Sequence, residues 1–347
     1  MKSVRNEKEL NYKKVLLRLD LNVPINNGKI TDTTRIDKII PTLNFLIQQK
    51  SKIIILSHVG RPKGEFVKSL SLEPICRILE SKLGLNVKLI TKNINLIKNK
   101  NFFNKFHENI LILENIRFYP EEEQNDDKFA KHLASLGDVY VNDAFSCSHR
   151  AHASVDKIPK FIPSFSGLQL DLEVSALNKI TSEIIRPITC IIGGSKISTK
   201  INIIKNLITK FDNIIIVGGM ANNILDYLGN PIGKSIKENN CKSIIEDIFE
   251  TAKTNSCPII YPEDVVVGKN MDDQAQIKEL NEVTNDDLIL DIGPKTINKI
   301  KNIIEHSETI LWNGPAGYFE NKHFAKGSYE IAEKIKKKNI DNSIYSV

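Results

Sequence analysis

Short apolar runs alternate with helix-spaced segments along the whole chain. In the first half the runs cover residues 15–23, 53–57, 87–90, 110–114 and 139–142. In the second half they cover residues 188–193, 213–217, 265–267, 288–292 and 309–312. Runs this short and this rich in Ile and Val read as strands buried on both faces of a parallel sheet. Between them the spacing turns helical: Ile36, Ile39, Ile40, Leu43 and Ile47 form one stripe. The alternation predicts βαβ units, with helices covering both faces of parallel sheets.

A length of 347 residues suggests two such domains. Pro159, Pro163 and the Ser166-Gly167 pair punctuate the middle, ahead of a helical stretch from Leu168 to Ile180. The expected organisation is α/β, with two doubly wound parallel-sheet (Rossmann-like) domains joined by a hinge helix. They would occupy residues 1–165 and 183–347, with the hinge at 166–182.

Composition narrows the function classes. Hydrophobic residues make up 41% and charged residues 26%, enough to bury two cores. No apolar run reaches 18 residues, and the N-terminus is polar, so neither a membrane span nor a signal peptide is expected. The five cysteines are scattered without a CxxC pair, which fits a reduced, cytoplasmic compartment. The net charge of +6 lies largely in lysine-rich polar segments, with no accompanying nucleic-acid motif. Neither nucleic acid nor membrane is therefore expected as a partner.

Unusual polar residues collect at the predicted carboxyl ends of strands, where open α/β sheets bind ligands. In the first half, Asp20 and Asn22 share a face if the strand runs through them. Asp32 reads as the N-cap of the striped helix, which puts Arg35 in the first turn. A cation there opposes the helix dipole, so Arg35 is either solvated or retained for a ligand. Arg61, Arg117 and Arg150 each follow a strand end, and with Arg35 they can converge on one anion. A single arginine is more often a surface ion pair, but its planar fork suits phosphate and carboxylate. Cys147, His149 and His152 lie close in sequence, but no second cluster completes a metal site, so the histidines read as anion donors.

In the second half, Gly193-Gly194-Ser195-Lys196 and Gly218-Gly219 form strand-to-helix turns that suit phosphate. Lys196 and Lys200 are four apart and would share a helix face. Residues 229–235 read GNPIGKS, which has Leu228 where a P-loop needs its first glycine and follows no strand. The P-loop reading is rejected. Gly293 and the stretch from Trp312 to Glu320 complete the wall. Glu320 is either a ribose acceptor or an ordinary surface carboxylate.

Eight stretches carry a resemblance. They read RLDLNVP, SHVGRP, LENIRF, NDAFSCSHRAHAS, GGSKISTK, VGGMANNIL, LDIGPKT and WNGPAGYFE, in this order, across residues 18–320. Together they resemble the phosphoglycerate kinase family. The resemblance implies phosphoryl transfer between 1,3-bisphosphoglycerate and ADP, giving 3-phosphoglycerate and ATP. It implies that Asp20, Leu21, Asn22, Arg35, His58, Val59, Gly60, Arg61, Arg117 and Arg150 bind phosphoglycerate. Arg35 and Lys196 would act on the transferring phosphoryl; Lys200, Gly293 and Glu320 would bind the nucleotide. Mg²⁺ would arrive on ATP or ADP with no metal ligands from the chain, and a hinge-bending monomer is expected. Two departures stand out. Ser146-Cys147-Ser148 replaces a glycine-led stretch of small residues. The family's GGGDT-type loop would follow Val347, so the resemblance also raises a weakly active fragment that keeps phosphoglycerate binding.

Overall fold

The computed structural model describes residues 2–26, 28–182, 185–341 and 344–347. The chain divides into two compact units, Met1–Ser175 and Ala176–Val347.

The first unit is built on a seven-stranded sheet, parallel throughout. Its order is Lys2–Ser3, Ser164–Ser166, Val139–Asp143, Lys14–Leu19, Lys52–Leu56, Ile110–Leu113, Val87–Ile90. Strand side chains alternate between two cores. Val15, Leu17 and Leu19 pack with Ile36, Ile39, Leu43 and Leu46 of helix Thr34–Gln48 and with Ile75 and Leu79 of helix Glu73–Leu83. Leu16, Ile54 and Leu111 face the other way, onto Phe129 and Leu133 of helix Asp127–Ala134. The expected stripe on the first helix is present, although Ile40 and Ile47 are only partly buried. Asp32 is not the N-cap. Thr33 holds that position, and Asp32 instead accepts the Thr34 N–H at 2.8 Å and its hydroxyl at 2.6 Å.

In the second unit, the main sheet is also parallel. Its order is Ile259–Ile260, Asn213–Ile216, Ile188–Ile192, Thr309–Asn313, Tyr345–Ser346. Helices Ile201–Ile208 and Lys242–Thr254 cover one face, while Pro294–Glu305 and Lys326–Ile340 cover the other. Two strands expected to be parallel are not. Asp264–Gly268 and Leu288–Ile292 pair antiparallel, and with Gln276–Glu279 they form a separate three-stranded sheet. Short apolar runs give no orientation, and the exposed third strand carried no apolar signal. The strand that the family resemblance implies at the end, over residues 342–347, is described as Tyr345–Ser346; residues 342 and 343 lie outside the described residues. So do 183 and 184, at the expected start of the second domain. The connector is helix Leu168–Ser182.

Candidate active site

Each parallel sheet has one switch point, where strands on either side connect in opposite directions. Ligands bind outside the carboxyl ends there. In the first unit it lies between Lys14–Leu19 and Val139–Asp143, the strands that release Asp20-Leu21-Asn22 and the loop leading to Arg150.

The strand stops at Leu19, so Asp20 and Asn22 belong to a loop rather than a strand face. The in–out alternation persists because Leu21 and Val23 are buried and tack the loop down. The Leu21 N–H donates to Ser57 Oγ at 3.1 Å. Asn22 Oδ1 accepts the Gly60 N–H at 2.9 Å, which joins the two strand-end loops. Gly60 has φ +64°, a backbone conformation that glycine supplies without strain. Asn115 Nδ2 holds the Val59 carbonyl at 2.8 Å, and Arg117 Nη1 holds the Gly60 carbonyl at 2.9 Å. Arg61, exposed, follows directly.

Arg117 is only 2% exposed. Its Nε lies 3.3 Å from Glu123 Oε1, and its Nη2 is buried with no hydrogen-bond partner. A buried orphaned guanidinium N–H is costly, and an anion would satisfy it. Arg150 and Arg18 are close enough to lower the Arg117 pKa, although burial is the larger cause. His58 is 3% exposed and pushed down to about 2, first by burial and then by Arg18, Arg117, Arg150 and His152. Arg35 pairs with Asp20, which Ser146 also contacts.

Asp20, His58 and Cys147 offer ligand atoms within 4.8 Å of one another. Asp20 is already engaged, and the cations that hold His58 neutral also repel a metal dication. The histidines near Cys147 have separate partners. His149 meets Arg150 Nε at 3.3 Å, while His152 Nδ1 lies 3.8 Å from Glu122 Oε1.

Sequence reasoning passed over Arg18 and Glu122, both fully buried. The signal for Arg18 was available: a charge inside an apolar strand run must be paired. Glu122 gave none, because it sits among three consecutive glutamates.

In the second unit the switch lies between Ile188–Ile192 and Thr309–Asn313. The turns that leave these two strands interlock. Gly193 N–H donates to the Asn313 carbonyl at 2.8 Å, and a Cβ on Gly193 would collide with the Pro315 carbonyl oxygen. Gly218, at φ +66°, donates its N–H to the Ala316 carbonyl at 3.0 Å. Beside them lies a cleft of about 260 Å³. Gly194, Gly218, Gly219 and Pro315 line it, together with the apolar side chains of Met271, Leu288 and Leu290, and with Tyr318 and Glu320. Ser235 and Ile236 also line it, so the end of the GNPIGKS segment reaches the cleft, while Lys234 pairs with Asp286 at 2.8 Å.

Lys196 and Lys200 do not share a helix face. The helix starts at Ile201, and both lysines belong to the preceding turn, since Lys200 is the N-cap. Lys200 Nζ donates to the Gly193 carbonyl at 3.0 Å and Asn313 Oδ1 at 2.9 Å, and burial lowers its pKa. Lys196 is exposed. Gly293 follows Ile292 of the cleft wall, and a Cβ there would collide with the Asp264 carboxylate. Asp291, 2% exposed, accepts the Gly327 N–H at 2.7 Å and the Ile292 N–H at 2.9 Å; burial raises it to about 6.

A polar, cationic site at one switch point and a glycine-walled cleft at another define a phosphotransferase of the two-unit α/β class. The sequence profile described as phosphoglycerate kinase matches residues 5–347. A phosphoglycerate kinase of Wolbachia pipientis subsp. Culex pipiens (strain wPip) is 44% identical over 340 residues, covering 98% of this chain and 86% of that protein. Among solved structures, the phosphoglycerate kinase from Coxiella burnetii superposes with TM-score 0.79 at 34% identity, covering 99% of this chain and 92% of that one. The phosphoglycerate kinase from Pyrococcus horikoshii OT3 gives TM-score 0.83 at 25% identity, covering 96% and 86%. The chain belongs to the phosphoglycerate kinase family.

Proposed function

We propose that the chain catalyses reversible phosphoryl transfer between 1,3-bisphosphoglycerate and ADP, giving 3-phosphoglycerate and ATP. The observation that carries the site assignment is the buried, orphaned Nη2 of Arg117 at the first switch point. In this reading, residues 1–165 hold phosphoglycerate through Asp20, Leu21, Asn22, Arg35, His58, Val59, Gly60, Arg61, Arg117 and Arg150. Residues 183–347 hold the nucleotide through Lys200, Gly293 and Glu320, with the base against the apolar part of the cleft. The protein acts as a cytoplasmic monomer, on neither nucleic acid nor membrane. Among the described residues, no helix is long and apolar enough to cross a membrane.

In the direction of ATP use, a carboxylate oxygen of 3-phosphoglycerate attacks the γ-phosphorus. The bond to the β-phosphate oxygen breaks, leaving ADP and an acyl phosphate. The attacking group is already an anion, so no general base is required. Catalysis then reduces to positioning and charge neutralisation, which Arg35 and Lys196 supply at the transferring group. The nucleotide enters as its magnesium complex, in which the ion neutralises phosphate charge. Of the carboxylates that line the cleft, Asp291 already accepts two backbone N–H groups, which fits an ion carried by the phosphates. Hinge bending about residues 166–182 brings the substrates together and excludes water from the acyl phosphate.

The test combines turnover with calorimetry. The chain is expected to consume ATP in the presence of 3-phosphoglycerate. Arg117→Ala is expected to weaken phosphoglycerate binding by roughly 1.5–3 kcal/mol, the loss of a charged hydrogen bond. ADP affinity should stay within about twofold, since Arg117 lies in the other unit. Unchanged phosphoglycerate affinity sinks the site assignment.

A further inference from the structure

Behind the first switch point runs a buried chain of hydrogen bonds that ends on a carboxylate. Glu122, from the short helix Pro120–Glu123, is fully buried. Its Oε1 accepts the Ser154 hydroxyl at 2.6 Å, and its Oε2 accepts the Ser154 N–H at 2.8 Å. Ser154 Oγ in turn accepts Arg18 Nε at 3.0 Å, and Arg18 Nη2 lies 3.1 Å from His58 Nδ1. The direction of every bond is fixed. Arginine only donates, so His58 Nδ1 must accept, and the proton of a neutral imidazole then sits on Nε2. Ser154 Oγ receives Arg18 Nε–H, so its own proton goes to Glu122. Arg18 is itself 0% exposed and needs a counter-charge there.

We propose that Glu122 is a positioning residue for the phosphoglycerate site: through Ser154 and Arg18 it fixes the His58 imidazole as the Nε2–H tautomer. The proposal rests on the assignment of His58 to that site. Burial raises the Glu122 pKa, opposed first by Arg18 and then by the two bonds from Ser154; as the carboxylate, Glu122 supplies the negative charge that lets Arg18 remain buried, and Arg18 occupies the His58 Nδ1 lone pair. His58 thereby presents a neutral donor at Nε2. The charged and titratable groups facing His58 are Arg18, Arg117, Arg150 and His152, with Asp20 and Cys147 within 4.8 Å. Burial first, and then Arg18, Arg117, Arg150 and His152, disfavour an imidazolium, so the ring is held neutral.

The test compares the full chain with Glu122→Gln by nitrogen-15 NMR of the histidine rings and by steady-state kinetics. In the unaltered chain, His58 is expected as a single Nε2–H tautomer from pH 5 to 8, a window that spans the ordinary histidine pKa of about 6.5. In Glu122→Gln the amide cannot accept from both Ser154 donors. That tautomer is expected to be lost, with the KM for 3-phosphoglycerate rising about tenfold and the KM for ATP within about twofold. Ser154→Ala keeps the carboxylate but removes the bridging oxygen; it should shift both readouts the same way, and it carries the test alone if Glu122→Gln does not fold. An unchanged His58 tautomer in a folded variant overturns the proposal, as does a lowered kcat with phosphoglycerate KM unmoved. If Arg117→Ala leaves phosphoglycerate affinity unchanged while Glu122→Gln still alters His58, the site assignment fails and the relay stands.

Discussion

The two candidate sites occupy equivalent places, each at the switch point of a parallel sheet, but they are built from different materials. The first relies on buried charge. Arg18, His58, Arg117 and Glu122 are each no more than 3% exposed. The second relies on backbone. Gly193 and Gly218 lie against the 313–316 turn by hydrogen bonds that no side chain makes. Charge dense enough to hold a small trianion must itself be neutralised when that anion is absent, which calls for partners deeper in the unit. A cleft for a flat base and a polyphosphate needs close approach and oriented N–H groups, which glycines allow. The first site should therefore respond to charge changes at a distance, and the second to added volume.

The largest expected effect tests the volume half of this contrast. Gly193→Ala places a Cβ against the Pro315 carbonyl oxygen, and neither strand-end turn has room to move without breaking the Gly193–Asn313 bond. Backbone collisions of this kind fall in the severe tail of single substitutions, about 4 kcal/mol or more. ADP binding by calorimetry should be abolished, with phosphoglycerate affinity within about twofold because the sites lie in different units. Retained ADP affinity would show that the turns are pliable.

One group in the second unit does carry charge that burial opposes. Asp291 has its pKa raised to about 6 from an ordinary 3.8. Between these values the folded chain keeps a proton that the unfolded chain has released. Stability from this group is therefore present below about 3.8 and is lost as pH rises to about 6. A shift of this size corresponds to roughly 3 kcal/mol. Asp291→Asn cannot ionise, so the difference in stability between variant and parent should change by about that amount between pH 4 and 6.5. Other titrating groups cancel in the difference. A constant offset across this range would mean that Asp291 titrates normally.

Sequence patterning made one of these materials far more legible than the other. Glycine turns and strand-end arginines could be read directly, because residue identity alone states what a glycine permits or an arginine donates. The longer parallel strands were equally readable, since short apolar runs repeat between helical stripes, whereas the two- and three-residue strands Lys2–Ser3, Ser164–Ser166 and Ile259–Ile260 carried no such run. The buried counter-charges could not be found this way. Glu122 and Glu123 look alike in sequence, yet one is fully buried on Ser154 and the other faces Arg117 across 3.3 Å. Which glutamate turns inward depends on a four-residue helix whose phase follows from packing. The antiparallel sheet was missed for a related reason: Gln276–Glu279 is polar and half exposed, and it pairs through backbone groups that leave no apolar trace. Lys196 and Lys200 were assigned to a helix because spacing of four suggests one, but the helix begins only at Ile201.

The smallest expected effect concerns the candidate nucleotide cleft, and it separates Glu320 from residues 229–235, which lack the first glycine of a P-loop. GNPIGKS has the look of a phosphate loop, whereas Glu320 has the look of any surface carboxylate. In the structure, Glu320 lines the cleft, and Lys234 is paired with Asp286 outside its lining. An exposed carboxylate that accepts a ribose hydroxyl exchanges one solvated hydrogen bond for another, so its net contribution is small. Glu320→Ala is expected to weaken ADP binding about fivefold. Lys234→Ala should leave ADP affinity within about twofold, because breaking an exposed ion pair costs little. Both variants should bind phosphoglycerate like the parent. If instead Lys234→Ala weakens ADP binding more than Glu320→Ala does, the nucleotide phosphates lie toward residues 229–235. The second site would then resemble the first after all, relying on a placed cation where bare backbone was expected to suffice.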